Sequence, residues 1–197
     1  MNPRRALIIR RRRPLGEPRA ANAGATRMLE VLAEAGVDLL GPDTERTTWL
    51  LPQTVAGADL ESGPDELFDV VLLGSHLVNT PDAALRTVLL GAAARHGRLD
   101  GHVLVEHHPL DWLETAAESW SERDGERLGM VDVRVDPPFV SAVSVFEVGG
   151  EVVRQPFTAR VLTDDELRGA LELAGLTVTR RLSPTWLEAV HAAESLS

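Results

Sequence analysis

Histidines, carboxylates and small polar residues collect at four points of this 197-residue chain, each just beyond a short apolar run. Asp43 follows residues 37–41, and Asp59 follows residues 54–58. Ser75, His76 and Asn79 come after residues 68–73, while Glu106, His107, His108 and Asp111 come after residues 102–105. Imidazole titrates near neutrality, so His76, His107 and His108, with Asp111 nearby, are the groups able to pass a proton in either direction. Neighbouring residues on a strand point to opposite faces, so His107 and His108 share one site only if they lie in a loop. These residues show no helical His spacing and no Cys pair, and no metal site is expected from them. A Gly-x-Ser-x-Gly elbow and a His-Glu-x-x-His motif are both missing, which argues against serine hydrolases and metalloproteases. Cysteine, tyrosine and lysine do not occur, which excludes thiolate, phenol and Schiff-base chemistry and the lysine of a P-loop. Trp112 follows the histidine pair; it either packs the core, like Trp49, Trp120 and Trp186, or walls an organic substrate.

Polar residues at successive strand ends belong to an open α/β sheet, where ligands bind at the carboxyl ends of the parallel strands. Residues 6–9 form a short candidate first strand. Residues 21–35 have helical spacing, with Met28, Leu29, Leu32 and Ala35 on one face and Gly36 at the end. Residues 37–41 then read as a strand, and residues 54–58 as a weaker one. Residues 68–73 are apolar without alternation, as in a parallel strand buried on both faces. Thr80-Pro81 has the pattern of a cap and first helical residue, opening a helix that Gly97 closes. Residues 102–106 form a second buried strand, residues 110–120 read as helical, and a charged loop leads to Asp136-Pro137-Pro138. Residues 139–148 and 151–162 alternate around Gly149-Gly150, a hairpin signal. Thr163 and Glu166 form a capping box for a helix ending at Gly175. Residues 176–182 and 186–190 close the chain as antiparallel strands.

The run Phe68-Asp69-Val70-Val71-Leu72-Leu73 through Ser75-His76-Leu77-Val78-Asn79 is similar to the fourth strand of class I S-adenosylmethionine-dependent methyltransferases. Leu162-Thr163-Asp164-Asp165-Glu166-Leu167 and Ala174-Gly175-Leu176 resemble that family's penultimate helix and strand, and Trp186-Leu187-Glu188-Ala189-Val190 resembles its last strand. The resemblance spans residues 24–191 and implies a Rossmann-like α/β fold. Its seven-stranded sheet would be mostly parallel with an antiparallel C-terminal end, and the hairpin at residues 139–162 would be an insertion. The domain would occupy residues 21–197, behind a basic arm at residues 1–20. The resemblance further implies S-adenosylmethionine as cofactor and a small molecule as methyl acceptor. Asn22 and Gly24 then stand in the turn that takes the methionine portion, Asp43 accepts from the ribose hydroxyls, Asp59 lies toward adenine, and Ser75 completes the cofactor set. His76, His107, His108 and Asp111 are the catalytic candidates. One departure is plain: Asn22, Gly24 and Thr26 occupy positions where the family has three spaced glycines.

Three functions stay open on that pattern. The first is methyl transfer to a small molecule. The second is a cyclase or isomerase that keeps the fold, drops the methyl donor and works through histidine acid/base catalysis. The third is a non-catalytic chain that binds a partner through the hairpin or the basic arm. The formal net charge is −10, yet residues 1–27 carry eight Arg against Glu17 alone, or +7, leaving −17 on the remainder. An acidic body argues against a nucleic-acid partner. The run Arg10 to Arg13 reads as a solvated tail in preference to a phosphate-binding arm. No apolar stretch has the length of a membrane span or of a signal-peptide core, so a cytoplasmic protein without membrane contact is expected. The hairpin edge is a candidate homodimer surface.

Overall fold

The computed structural model describes residues 4–11, 44–51, 60, 63–123 and 126–193. Two apolar runs form the middle of its main sheet. β1 (Arg5–Arg11) buries every residue from Ala6 to Arg10, and β3 (Phe68–Leu73) buries all but Asp69. Strands apolar on both faces need cover on both faces, which is the setting of a parallel sheet. The two pair in parallel, from Ala6 with Val70 to Ile9 with Leu73. β2 (Glu45–Leu51) lies parallel along the other edge of β1, and β4 (Gly97–Glu106) parallel along the other edge of β3. β10 (Trp186–His191) and β9 (Leu176–Ser183) complete the sheet as antiparallel strands, in the order β2-β1-β3-β4-β10-β9. The fold is therefore the Rossmann-like α/β sheet indicated by the sequence, with six strands among the described residues. From β1 the chain goes first to one side and then to the other, so strand order reverses between β1 and β3. Ligands of such sheets bind at the carboxyl ends beside that reversal.

Among the described residues three α-helices accompany the strands: α1 (Ala83–His96), the single turn α2 (Trp112–Thr115) and α3 (Asp164–Leu173). Leu89, Leu90 and Ala93 of α1 and Leu167 and Leu171 of α3 share one core with Leu7, Ile9, Val71, Leu73, Val103 and Val105 of the sheet. The Thr163–Glu166 capping box opens α3, and Gly175 follows it at φ 75°. α1 starts later than the sequence suggests. Asp82 caps it, its carboxylate accepting from the N–H groups of Ala84 (2.8 Å) and Leu85 (3.2 Å), with Thr80-Pro81 ahead of the helix.

The insertion is larger than a hairpin. Residues 110–120 are helical only over α2, and the supposed loop contains β5 (Ser119–Arg123) and β6 (Glu126–Asp136). With β7 (Phe139–Val148) and β8 (Glu151–Arg160) these make a second, antiparallel sheet in the order β5-β6-β7-β8. Gly149 and Gly150 supply the two positive φ angles, 59° and 85°, that the β7–β8 turn requires. β6 escapes period-two reading because its alternation changes phase. Leu128 and Met130 hold even positions, Val131, Val133 and Val135 odd ones, and the register shift falls between Val131 and Arg134, with Asp132 at φ 55°.

The basic N-terminal stretch also needs correction. Residues 5–11 lie inside the sheet, and Arg10 is 2% exposed, because the apolar register of β1 carries its flanking arginines into the fold. The strand beside β1 is Glu45–Leu51, downstream of the strand expected at residues 37–41. The elements expected over residues 21–41 and 54–58 lie outside the described residues. No helix among the described residues is long and apolar enough to cross a membrane.

Candidate active site

At the end of β3 the chain is tied to β1. Gly74 N–H donates to the Ile9 carbonyl (2.9 Å), and Ser75 Oγ accepts from the Arg11 N–H (3.3 Å). Ser75 and His76 both take left-handed backbone angles, φ 58° and 48°. Non-glycine residues held there cost on the order of 1–3 kcal/mol each, a strain that concentrates at functional sites. The turn brings His76 Nε2 to 3.7 Å from Glu106 Oε1 at the end of β4. His108 stacks on His76 with centroids 3.9 Å apart, and Trp112 stacks on His108 at 3.7 Å, both pairs within 11° of parallel.

Asn79, 1% exposed, fixes this arrangement. Its Oδ1 accepts from the His108 N–H (2.9 Å), and its Nδ2 donates to the Arg160 carbonyl (2.8 Å), linking β4's exit to β8. Arg86 of α1 holds the same turn by donating to the carbonyls of Val78 (2.8 Å) and Thr80 (2.5 Å).

The stack borders a cavity of about 340 Å³, within the range of small-molecule sites. Arg11, Ser75, His76, Asn79 and Thr80 line it from the main sheet; Leu128, Met130, Phe146 and Phe157 line it from the antiparallel sheet, which acts as a roof. A larger hollow of about 620 Å³ crosses β6, β7 and β8, but its acidic residue Asp132 is already paired with Arg154 at 3.0 Å. A second His–carboxylate pair, His102 Nδ1 and Glu188 Oε1 at 2.7 Å, lines neither hollow, and its Glu188 also binds Arg180.

The histidines divide by environment. Burial first, and then the neighbouring His76 and His107, push His108 down to about 2, so it is a neutral plate in the stack at ordinary pH. His107, 3% exposed, points away from the cavity, with Nε2 3.3 Å from the Arg181 guanidinium and Nδ1 3.1 Å from the His108 carbonyl. Burial lowers its pKa as well. Asp111 is exposed; its main-chain carbonyl accepts from Glu114 and Thr115 to start α2, and its side chain makes no cap. Of the four catalytic candidates, His76 and His108 meet at the cavity, whereas His107 and Asp111 do not line it. Adjacent strand-end residues diverge, and the α2 turn carries Asp111 outward. Of the cofactor candidates Ser75 lines the cavity, while Asn22, Gly24, Asp43 and Asp59 lie outside the described residues.

Two further site residues emerge from the structure. Glu106 becomes the partner of His76, and Arg11 reaches the cavity from the end of β1. The signal for Arg11 was its place two residues beyond the apolar run 6–9, obscured by the run of arginines it belongs to. Among the described residues no group of three or more His, Asp or Glu is placed to hold a metal ion.

This sheet order with an antiparallel C-terminal pair matches the Rossmann-like fold of class I S-adenosylmethionine-dependent methyltransferases. No protein-family model and no curated protein matches the chain. Solved structures do. An S-adenosylmethionine-dependent methyltransferase from Clostridium acetobutylicum is similar over 96% of this chain and 84% of its own, with 9% identity and a TM-score of 0.60. The sugar N-methyltransferase KedS8 from a Streptoalloteichus species is similar over 97% and 81%, with 14% identity and a TM-score of 0.56. CalS10, an amino pentose methyltransferase from Micromonospora echinaspora, is similar over 97% and 84%, with 13% identity and a TM-score of 0.54.

The resemblance calls for a glycine turn after the first strand and an acid at the end of the second. β1 ends in Arg10-Arg11 and β2 in Leu50-Leu51, and Asp43 precedes β2 in the chain. The residues that follow these two strands lie outside the described residues.

Proposed function

We propose that this chain is an enzyme acting on a small molecule held in the roofed cavity, with His76 as its general base and methyl transfer from S-adenosylmethionine as its reaction. The observation that carries the reading is the His76–Glu106 pair, set by a strained turn beside the strand-order reversal, with His76 lining the cavity. A ligand hydroxyl or amine gives its proton to His76 Nε2, and the imidazolium so formed faces the Glu106 carboxylate. The 3.7 Å separation is too long for a direct hydrogen bond and suits an ion pair created by the proton transfer. His108 stays neutral against the same ring, so it adds no repelling charge. The pair is only partly exposed, 32% for His76 and 16% for Glu106, so its attraction is less screened than in open water. In the same proposal the donor's seat falls to Ser75 and to the segments carrying Asn22, Gly24 and Asp59, while Asp43 precedes the amino end of β2 and is not part of that seat.

A second reading is favoured by the arginines that end β1. In it the fold keeps its cavity without a methyl donor, and His76 with Glu106 performs proton transfer alone, as in a cyclase or isomerase. Calorimetric titration and thermal unfolding with S-adenosylmethionine and S-adenosylhomocysteine separate the two. Bound ligand at 100 times its Kd stabilises by about 2.7 kcal/mol, an easily measured rise in Tm. The methyl-transfer reading expects that rise. No heat and no rise at millimolar ligand leaves the second.

A further inference from the structure

We propose that Arg11 is the anion-binding residue of the cavity and that the small molecule bound there carries a carboxylate joined to an apolar body. The inference rests on the reading of this cavity as the ligand site and is independent of the methyl donor. Most arginines around the two sheets are matched: Arg5 with Glu66, Arg127 with Glu147, Arg160 with Glu166, Arg180 with Glu188 and Arg181 with Asp164. Among the described residues Arg11 has no such carboxylate, its Nε is buried without a hydrogen-bond partner, and no acidic side chain lines the cavity it enters. Burial without compensation disfavours its charge, as the lowered pKa reflects.

A guanidinium kept under that penalty at the strand-order reversal is matched by a ligand that supplies the missing charge. Its planar fork takes a carboxylate through two parallel hydrogen bonds. Ser75 and Thr80 line the cavity with it, and their hydroxyl groups are available as donors. The roof offers Leu128, Met130, Phe146 and Phe157, which suit an aryl or alkyl body. The ligand class is a small organic acid bound with its carboxylate toward β1 and its apolar part under the antiparallel sheet.

A carboxylate could also come from the methionine portion of S-adenosylmethionine, so the test has separate arms. Benzoate and its neutral analogue benzamide are titrated by ligand-observed NMR against the wild type, Arg11→Met and Arg11→Gln. S-Adenosylhomocysteine is titrated in parallel, and each protein is melted without ligand. We expect benzoate to bind at least tenfold more tightly than benzamide and both variants to lose that preference. The variants should also melt higher than the wild type, because a half-buried charge whose Nε lacks a partner has gone, and bind S-adenosylhomocysteine as the wild type does. Equal binding of benzoate and benzamide overturns the proposal, as does a preference that survives in the variants. So does a lowered Tm in both variants, which would make the guanidinium structural, or weakened binding of S-adenosylhomocysteine, which would assign Arg11 to the donor. A benzoate preference lost in both variants, with no binding of S-adenosylhomocysteine to any protein, sinks methyl transfer and leaves this proposal standing.

Discussion

Asn79 uses both ends of its side-chain amide on main chain, accepting from the His108 N–H and donating to the Arg160 carbonyl, in a place that water does not reach. Asn79→Ala leaves a buried donor and a buried acceptor without partners, each worth about 1–3 kcal/mol. The expected loss of unfolding free energy is about 2–4 kcal/mol by urea titration. Asn79→Asp keeps the acceptor and places a carboxylate against the Arg160 carbonyl, so it should rescue little. A cost below about 0.5 kcal/mol for Asn79→Ala would mean that the stack does not depend on this clamp. The grouping of Ser75, His76, Asn79 and His108 was legible in the sequence because each follows an unambiguous apolar run. Which face a residue takes was not: His107 and Asp111 lie in the right neighbourhood and point elsewhere. Arg11 was hidden for a different reason. A run of four like charges reads as solvated, and four apolar residues ahead of it are too few to outweigh that, although β1 is flanked by strands on both sides.

Elements whose local signals agreed with their surroundings were the readable ones. β3, the two-glycine turn and the Thr163 capping box all appear where sequence chemistry places them. β6 was lost because a bulge moves its apolar residues from one parity to the other, and a period-two pattern broken midway looks like a loop. The start of α1 was misplaced because two capping residues stand two apart, and only the geometry shows which carboxylate or hydroxyl accepts from the first free N–H groups. The difference is measurable. Asp82→Ala removes two accepted hydrogen bonds at the helix start and should cost about 1 kcal/mol. Thr80→Ala removes no cap and should stay within about 0.5 kcal/mol of the wild type. Urea midpoints of the two variants decide it, and a larger loss for Thr80→Ala would return the cap to the threonine.

Over the whole molecule, three histidines are lowered below their ordinary value of 6.5, with burial the largest cause for each: His96, His107 and His108. The sign of the effect on stability follows from which state takes up protons first. As pH falls through 6.5 the unfolded chain protonates these rings while the folded chain keeps them neutral, so stability present above 6.5 is lost toward acid. For His108 that loss continues down to its folded value of about 2. Each ring that stays neutral contributes a slope of about 1.4 kcal/mol per pH unit. The carboxylate terms come later. Glu166, lowered chiefly by its hydrogen bond from the Thr163 N–H, keeps its contribution above its ordinary value of 4.5 and loses it as pH falls through its folded value. The interval from pH 6.5 to 5 thus isolates the histidines. In it the wild type should lose stability steadily, and His108→Phe, which preserves an aromatic plate between His76 and Trp112, should lose it less steeply by about 1.4 kcal/mol per pH unit. Urea titrations at pH 7, 6 and 5 read both slopes. Parallel slopes would mean that His108 accepts a proton inside the folded stack. It would then compete with His76 for the ligand's proton, and the division of the pair into a base and a neutral plate would be lost.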